Sequence, residues 1–186
     1  MSYGFLDIAI TPSVRTAQAA MGADTLWQDF PGHRAFDRFT EAEEASIAER
    51  DSFYMATVSE TGWPYVQHRG GPRGFLKMVD ERTLAFADFR GNRQYISAGN
   101  LLANDRVCLF LMDYAHRARL KVYAHAEMLA PDADPALTQQ VAVPGYRGKH
   151  EHIVRLRLEA FDWNCAQHIT PRWSEAEMRA LQADGD

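Results

Sequence analysis

From Asp51 onward the chain alternates short apolar runs with turn signals. The runs "FYMATVS" (53–59), "PYVQHRG" (64–70), "GFLKMVD" (74–80) and "TLAFADF" (83–89) are aromatic or β-branched, and "ETGW", "GGPR" and "DER" separate them, as in successive antiparallel strands. Asn92 to Ala103 then reads as a helix with Tyr95, Ile96, Leu101 and Leu102 as its apolar positions, ended by "AND". Strand character resumes in "RVCLFLMDY" and "RLKVYAHAEML". In "HIVRLRLEAFDW", Ile153, Arg155, Arg157 and Glu159 alternate with Val154, Leu156, Leu158 and Ala160, the period of two that a half-buried strand requires. The pattern predicts a meander or barrel, mainly β with flanking helices.

The flanks are helical. Ser13 after Pro12 is the expected N-cap of a helix ending near Gly22, and Thr40 with Glu43 forms a capping box for a second helix running to about Arg50. Three prolines and two glycines in the segment 130–152 mark a surface excursion around a short helix. Ser174 and Glu177 form another capping box, on a terminal helix. No repeat or linker interrupts the chain, so residues 1–186 are read as one domain: a helical flank (1–50), a barrel (51–162) and a tail with its helix (163–186).

Charge and composition narrow the function. Twenty Lys and Arg against 25 Asp and Glu give a net charge of -5, which offers no general attraction to nucleic acid or to an anionic membrane. No apolar run approaches the ~20 residues of a spanning helix, and "MSYGFLDIAI" has no basic leader pattern, so a cytoplasmic protein is expected. Cys108 and Cys165 are too few for a disulfide framework and are expected to be reduced thiols. His150 and His152 lack a fixed third ligand, and no metal site is expected. Met55, Met78, Met112 and Met128 fall in strand-like runs and read as core filler. The G-x-S-x-G, C-x-x-C, Walker A and G-x-G-x-x-G patterns are all absent.

The chemistry concentrates in "DFRGNRQYIS", Asp88 to Ser97. A helix start favours an anion through its open N–H groups and dipole, and arginine adds planar charge-assisted bonds to phosphate oxygens. Arg90 and Arg93 supply charge, Asn92 and Gln94 supply donors, and Gly91 allows close backbone approach. The same residues also suit a solvated loop whose arginines pair with Asp88 or nearby acids.

The order of "YMATVSETGWPYVQHRGG", "FLKMVDERTLAFADFRGNRQYISAGNLLANDRVCLFLMD" and "LKVYAHAEM" resembles the FMN-binding split-barrel proteins related to pyridoxamine 5'-phosphate oxidase, over about Phe53 to Met128. The resemblance implies a six-stranded antiparallel split β-barrel whose homodimer interface holds two FMN molecules. The family's basic pair for the phosphate falls on Asn92 and Arg93, of which only Arg93 is basic, so Arg90 or Gln94 would complete the site. The family's phosphate-reaching lysine matches Lys77. Its flavin-contacting arginine corresponds to "QHRGG", where the present chain is longer, leaving Gln67, His68 and Arg69 as candidates. The family's polar strand contact falls on Arg119 and Lys121. In the tail, Asn164, Gln167, His168 and Arg172 form a polar set, with Trp163 and Trp173 able to stack on a ring.

The resemblance further implies a flavin-dependent oxidoreductase, NAD(P)H-linked and acting on a small molecule by hydride or electron transfer at flavin N5. In that chemistry the protein sets orientation and access. His68 and His168 are the candidates for proton delivery. The tail "NCAQHITPRW" differs from that of the vitamin B6 oxidase itself. Alternative readings are a flavin-binding module without turnover, such as an electron carrier, a haem-binding split barrel using His150, His152 or His168, and a deazaflavin-using relative.

Overall fold

The computed structural model describes residues 4–26, 36–164 and 166–183; Cys165 lies outside the described residues. Seven strands form one sheet in the order β2-β1-β5-β6-β7-β4-β3, with every neighbouring pair antiparallel. They are β1 (Ser52–Val58), β2 (Pro64–Gly70), β3 (Lys77–Asp80), β4 (Thr83–Phe89), β5 (Arg106–Asp113), β6 (Ala118–Leu129) and β7 (His150–Asn164). The mainly β, split-barrel expectation holds, with seven strands where six were expected. The shortest is β3, four residues paired to β4 alone. Gly74, Phe75 and Leu76 do not extend it, because Phe75 and Leu76 turn into the core instead.

Alternation decides what the sheet buries. Phe53 and Met55 of β1, Leu84 and Phe86 of β4, Leu109 and Leu111 of β5, Leu120 and Val122 of β6, and Leu156 and Leu158 of β7 share one interior. Phe53 stacks on Phe75 at 5.6 Å and meets Phe86 edge-on at 5.3 Å, so β1 and β4 face each other although they are not neighbours in the sheet. The sheet therefore curls upon itself. Its edges, β2 and β3, stay unpaired with each other, and this leaves a seam. The expected alternation of β7 holds for Val154, Leu156, Leu158 and Ala160, but Ile153 is buried too. It packs with Ala85 and Ala87 under Leu137 and Val141 of the helix α5 (Pro135–Val141). The surface excursion is thus anchored on the opposite face of the sheet.

The remaining helices are α1 (Phe5–Ala9), α2 (Pro12–Ala20), α3 (Glu41–Ala48), α4 (Ile96–Ala103) and α6 (Glu175–Ala183). The N-cap of α2 is Thr11, not Ser13, because Pro12 takes the first helical position, where its missing N–H costs nothing. The predicted start of α4 at Asn92 is four residues early. Its apolar face is also reversed: Ser97 and Asn100 are the buried positions, whereas Leu102 is 92 % exposed and Tyr95 and Ile96 are exposed. Leu101 alone of the four packs against the core.

The capping box on α3 is present and carries more than expected. Thr40 donates to Glu43 Oε2 through both N–H and hydroxyl, at 2.9 and 2.6 Å. The Trp163 indole donates to Glu43 Oε1 at 2.6 Å, joining the end of β7 to α3. Burial works to raise the Glu43 carboxyl, and these donors outweigh it and hold it below its ordinary value. A depressed folded value contributes stability that is complete above about pH 4.5 and lost as pH falls further. The urea midpoint of the wild-type chain is therefore expected to drop between neutral pH and pH about 4 or below, and Glu43→Gln to show a smaller drop over the same interval.

Candidate functional site

On β2, Tyr65, Gln67 and Arg69 point to the interior side and Val66 and His68 to the exterior. The interior set faces the open seam, and α4 is docked there by polar bonds. Asn100 Nδ2 donates to the Thr57 hydroxyl at 2.9 Å, buried, and the Ser97 hydroxyl donates to Gln67 Oε1 at 2.9 Å. This accounts for the inverted face of the helix, which is fastened to β1 and β2 by an amide and a hydroxyl. Arg69 Nη1 lies 2.5 Å from Asp88 Oδ1, with both side chains about 15 % exposed, and its guanidinium sits 5.8 Å from the Phe86 ring centre. The pair spans the seam from β2 to β4. Burial pushes the Asp88 carboxyl above its ordinary value, and Arg69 pulls it only part of the way back.

Above this pair the turn into α4 is held in an unusual conformation. Arg93 and Tyr95 have φ of 65° and 52°, a left-handed region that costs non-glycine residues of order 1–3 kcal/mol each and is maintained only where surroundings enforce it. Gln94 N–H donates to Asn92 Oδ1 at 3.0 Å, closing a side-chain turn, and the Tyr95 hydroxyl donates to Glu151 at 3.2 Å. No side chain caps α4. Its first helical bond runs from Gly99 N–H to the Tyr95 carbonyl, so the amides of Ile96, Ser97 and Ala98 precede the ladder. These residues, with Gln67, Arg69, Asn92 and Arg93, line a hollow of about 60 Å³. That is far short of the several hundred cubic ångströms enclosing a whole cofactor-sized ligand. It has room for an anionic headgroup, with the rest of such a ligand outside.

The sequence candidates divide into two places. Gln67, Arg69, Asn92, Arg93 and Gln94 meet in this hollow. Arg90 stands beside it, its Nε 3.2 Å from Glu151 Oε1. Lys77 does not line the hollow: it begins β3, opposite Ala85. His68 is on the other face of β2, where its ring meets Tyr54 edge-on at 5.6 Å. Tyr54 also lines a second, outer hollow with Phe110, Met112, Arg119, His168 and Arg172. There the Arg172 guanidinium lies 5.0 Å from the Tyr114 ring centre. Arg119 Nε and Asn164 Oδ1, cross-strand neighbours, are buried without partners among the described residues. Lys121 shares the outer face with Arg119 but sits under α1, its ammonium 5.7 Å from the Phe5 ring. Gln167 is in the tail before His168, and Trp163 is committed to Glu43. Cys108, also outward, has its thiol raised by burial, which leaves it a poor nucleophile.

Sequence reasoning missed Ser97, Glu151 and Tyr95 as parts of the hollow and offered Asp88 only as a partner for the loop's arginines. Strand alternation carried the signal that separates His68 from Gln67 and Arg69, since neighbours on a strand cannot share a face.

Residues 39–156 match the family pattern of pyridoxamine 5'-phosphate oxidase. The chain belongs to the pyridoxamine 5'-phosphate oxidase-like family. No match was found among curated proteins. Among solved structures, a candidate pyridoxamine 5'-phosphate oxidase from Lactobacillus delbrueckii is 21% identical with a TM-score of 0.51, over 68% of this chain and 94% of its own. HupZ from Group A Streptococcus is 14% identical with a TM-score of 0.51, over 73% of this chain and 100% of its own. These likenesses establish the family's fold for this chain.

The docking of α4 makes a clear prediction. Asn100→Ala leaves the buried Thr57 hydroxyl without its partner and is expected to cost about 1–3 kcal/mol of unfolding free energy, against about 1 kcal/mol for Ser97→Ala, whose partner Gln67 is only half-buried. Urea titration of both variants measures the difference.

Proposed function

We propose that the protein is a cytoplasmic, homodimeric, FMN-dependent oxidoreductase that exchanges hydride between NAD(P)H and a small organic molecule. The observation that carries this reading is the hollow at the seam, where three uncapped amides, Ser97, Arg69 and Arg93 converge on a space the size of a headgroup. The donor set fits a phosphomonoester, because amides and guanidinium groups satisfy its oxygens in several directions at once. Arg69 also has a buried Nε without a partner among the described residues.

Bound at this place, FMN would supply hydride exchange at its ring, and the chain supplies binding, orientation and exclusion of water. Arg93 and the α4 amides hold the phosphate, and Gln67 orients the chain next to it. A ring lying outside so small a hollow needs a second wall. The outer sheet face supports a partner subunit as that wall: Val66 is 60 % and Tyr54 40 % exposed, and Ala56, Cys108 and Phe110 adjoin them across strands. Contiguous apolar surface of this kind marks an interface. The tail hollow with Arg119, His168 and Arg172 opens at the same outer face and would bring those groups to the partner's flavin. His68 and His168, both on that side, are the groups available to carry a proton. Lys77 and Lys121 have no part in the hollow itself.

Two measurements test the reading. The purified protein is expected to show a flavin absorption spectrum and to release a cofactor with the mass of FMN. Arg93→Ala should weaken FMN at least about tenfold, roughly one charge-assisted bond, and leave riboflavin unaffected; equal binding of the two flavins by the wild-type chain would refute the phosphate assignment. Val66→Glu is expected to convert dimer to monomer in sedimentation and to release flavin together with the partner. A monomer that keeps its flavin would show that one chain suffices.

A further inference from the structure

The hollow assigned above to a phosphate has two carboxylates in its wall, Asp88 and Glu151. Like charge facing an anion works against binding, at a cost that grows as water is excluded. Each acid, however, is engaged with an arginine. Asp88 Oδ1 is 2.5 Å from Arg69 Nη1, and Glu151 Oε1 is 3.2 Å from Arg90 Nε. The second Glu151 oxygen accepts from Tyr95 at 3.2 Å. Two of the three arginines around the hollow are thus occupied, and Arg93, in its left-handed conformation, is the third.

We propose that Asp88 and Glu151 set the specificity of this hollow by occupying Arg69 and Arg90 until a phosphomonoester dianion displaces them, and so exclude carboxylate- and sulfate-ended ligands. The inference rests on the phosphate reading given above. A carboxylate-ended ligand gains nothing by replacing a carboxylate already tethered beside the guanidinium, because the tethered group competes at high effective concentration. A sulfate ester brings one charge. A phosphomonoester brings close to two, with three strong acceptor oxygens, enough to take Arg69 bidentately and still reach the α4 amides.

The acids then need somewhere to go. Asp88 is opposite His152 in the β4–β7 register, and Arg69, His152, Glu151 and His150 all act on its charge. Both histidines have a buried ring nitrogen without a partner among the described residues, Nδ1 of His152 and Nε2 of His150. A carboxylate released by Arg69 therefore has the His152 side chain opposite it in the strand pairing. Glu151 keeps the Tyr95 hydroxyl. These unpaired nitrogens, unexplained in the resting arrangement, suit a second position of the acid.

The test compares FMN, riboflavin 5'-sulfate and riboflavin, each titrated against the wild-type chain, Asp88→Asn and Glu151→Gln, with flavin fluorescence as the readout. Both variants are expected to bind FMN about tenfold more tightly, the scale of one charge-assisted bond. They should bind the sulfate ester with a still larger gain, so that preference for FMN shrinks, while riboflavin stays unchanged. Glu151 pairs with the more exposed arginine, Arg90 at 39 % against 14 % for Arg69, and its variant serves if Asp88→Asn fails to fold. Unchanged or weaker FMN binding, or an undiminished preference over the sulfate, overturns the inference and makes the acids mere positioners of the arginines. If the wild-type chain binds FMN no better than riboflavin, the phosphate reading itself fails and takes this inference with it.

Discussion

The ion pair between Arg69 and Asp88 does what the backbone of this barrel does not. Six hydrogen-bonded ladders carry the sheet from β2 round to β3, and the last join, from β2 back to β4, is made by a guanidinium and a carboxylate. A buried pair of this sort is not a strong source of stability, since desolvation of the two groups offsets most of their attraction. What it secures is geometry. It spans the seam, and the interior aromatic contacts of Phe53, Phe75 and Phe86 hold the two walls together.

Everything proposed about the site follows from that opening. A fully closed barrel would present no row of inward polar side chains next to a helix start. Here Gln67 and Arg69 end up beside Ser97, and the chain between β4 and α4 must turn sharply enough to place Arg93 and Tyr95 in left-handed conformations. The strain and the uncapped amides occur at the same few residues, as expected where a backbone is shaped for a ligand. The outer face has the contrary character, largely apolar across β1, β2 and β5, with the tail at one end.

Much of this was legible in the sequence. Turn chemistry and β-branched runs located β2 and β4 to the residue, and the basic turn marked residues that line the hollow. Hydrophobicity misplaced α4 because its buried face is made of Ser97 and Asn100, whose burial depends on partners, Gln67 and Thr57, about thirty or more positions away. No local window contains such information. The same holds for Glu43, whose third donor is an indole from the far end of β7, and for Asp88 and Glu151, whose place beside the turn arises from the β4–β7 pairing. His68 was grouped with its neighbours in a motif, whereas the pleat divides them. Motif reasoning is blind to sidedness unless alternation is applied to it.

The brevity of β3 has a bearing on behaviour in a crowded solution. A sheet with two free margins invites foreign chains to add on, and proteins avoid this with short, charged or proline-bearing margins. β3 is four residues long with Lys77 and Asp80 at its ends, and β2 opens with Pro64. Both margins are poor templates for an incoming strand. The barrel can therefore remain unsealed without becoming adhesive.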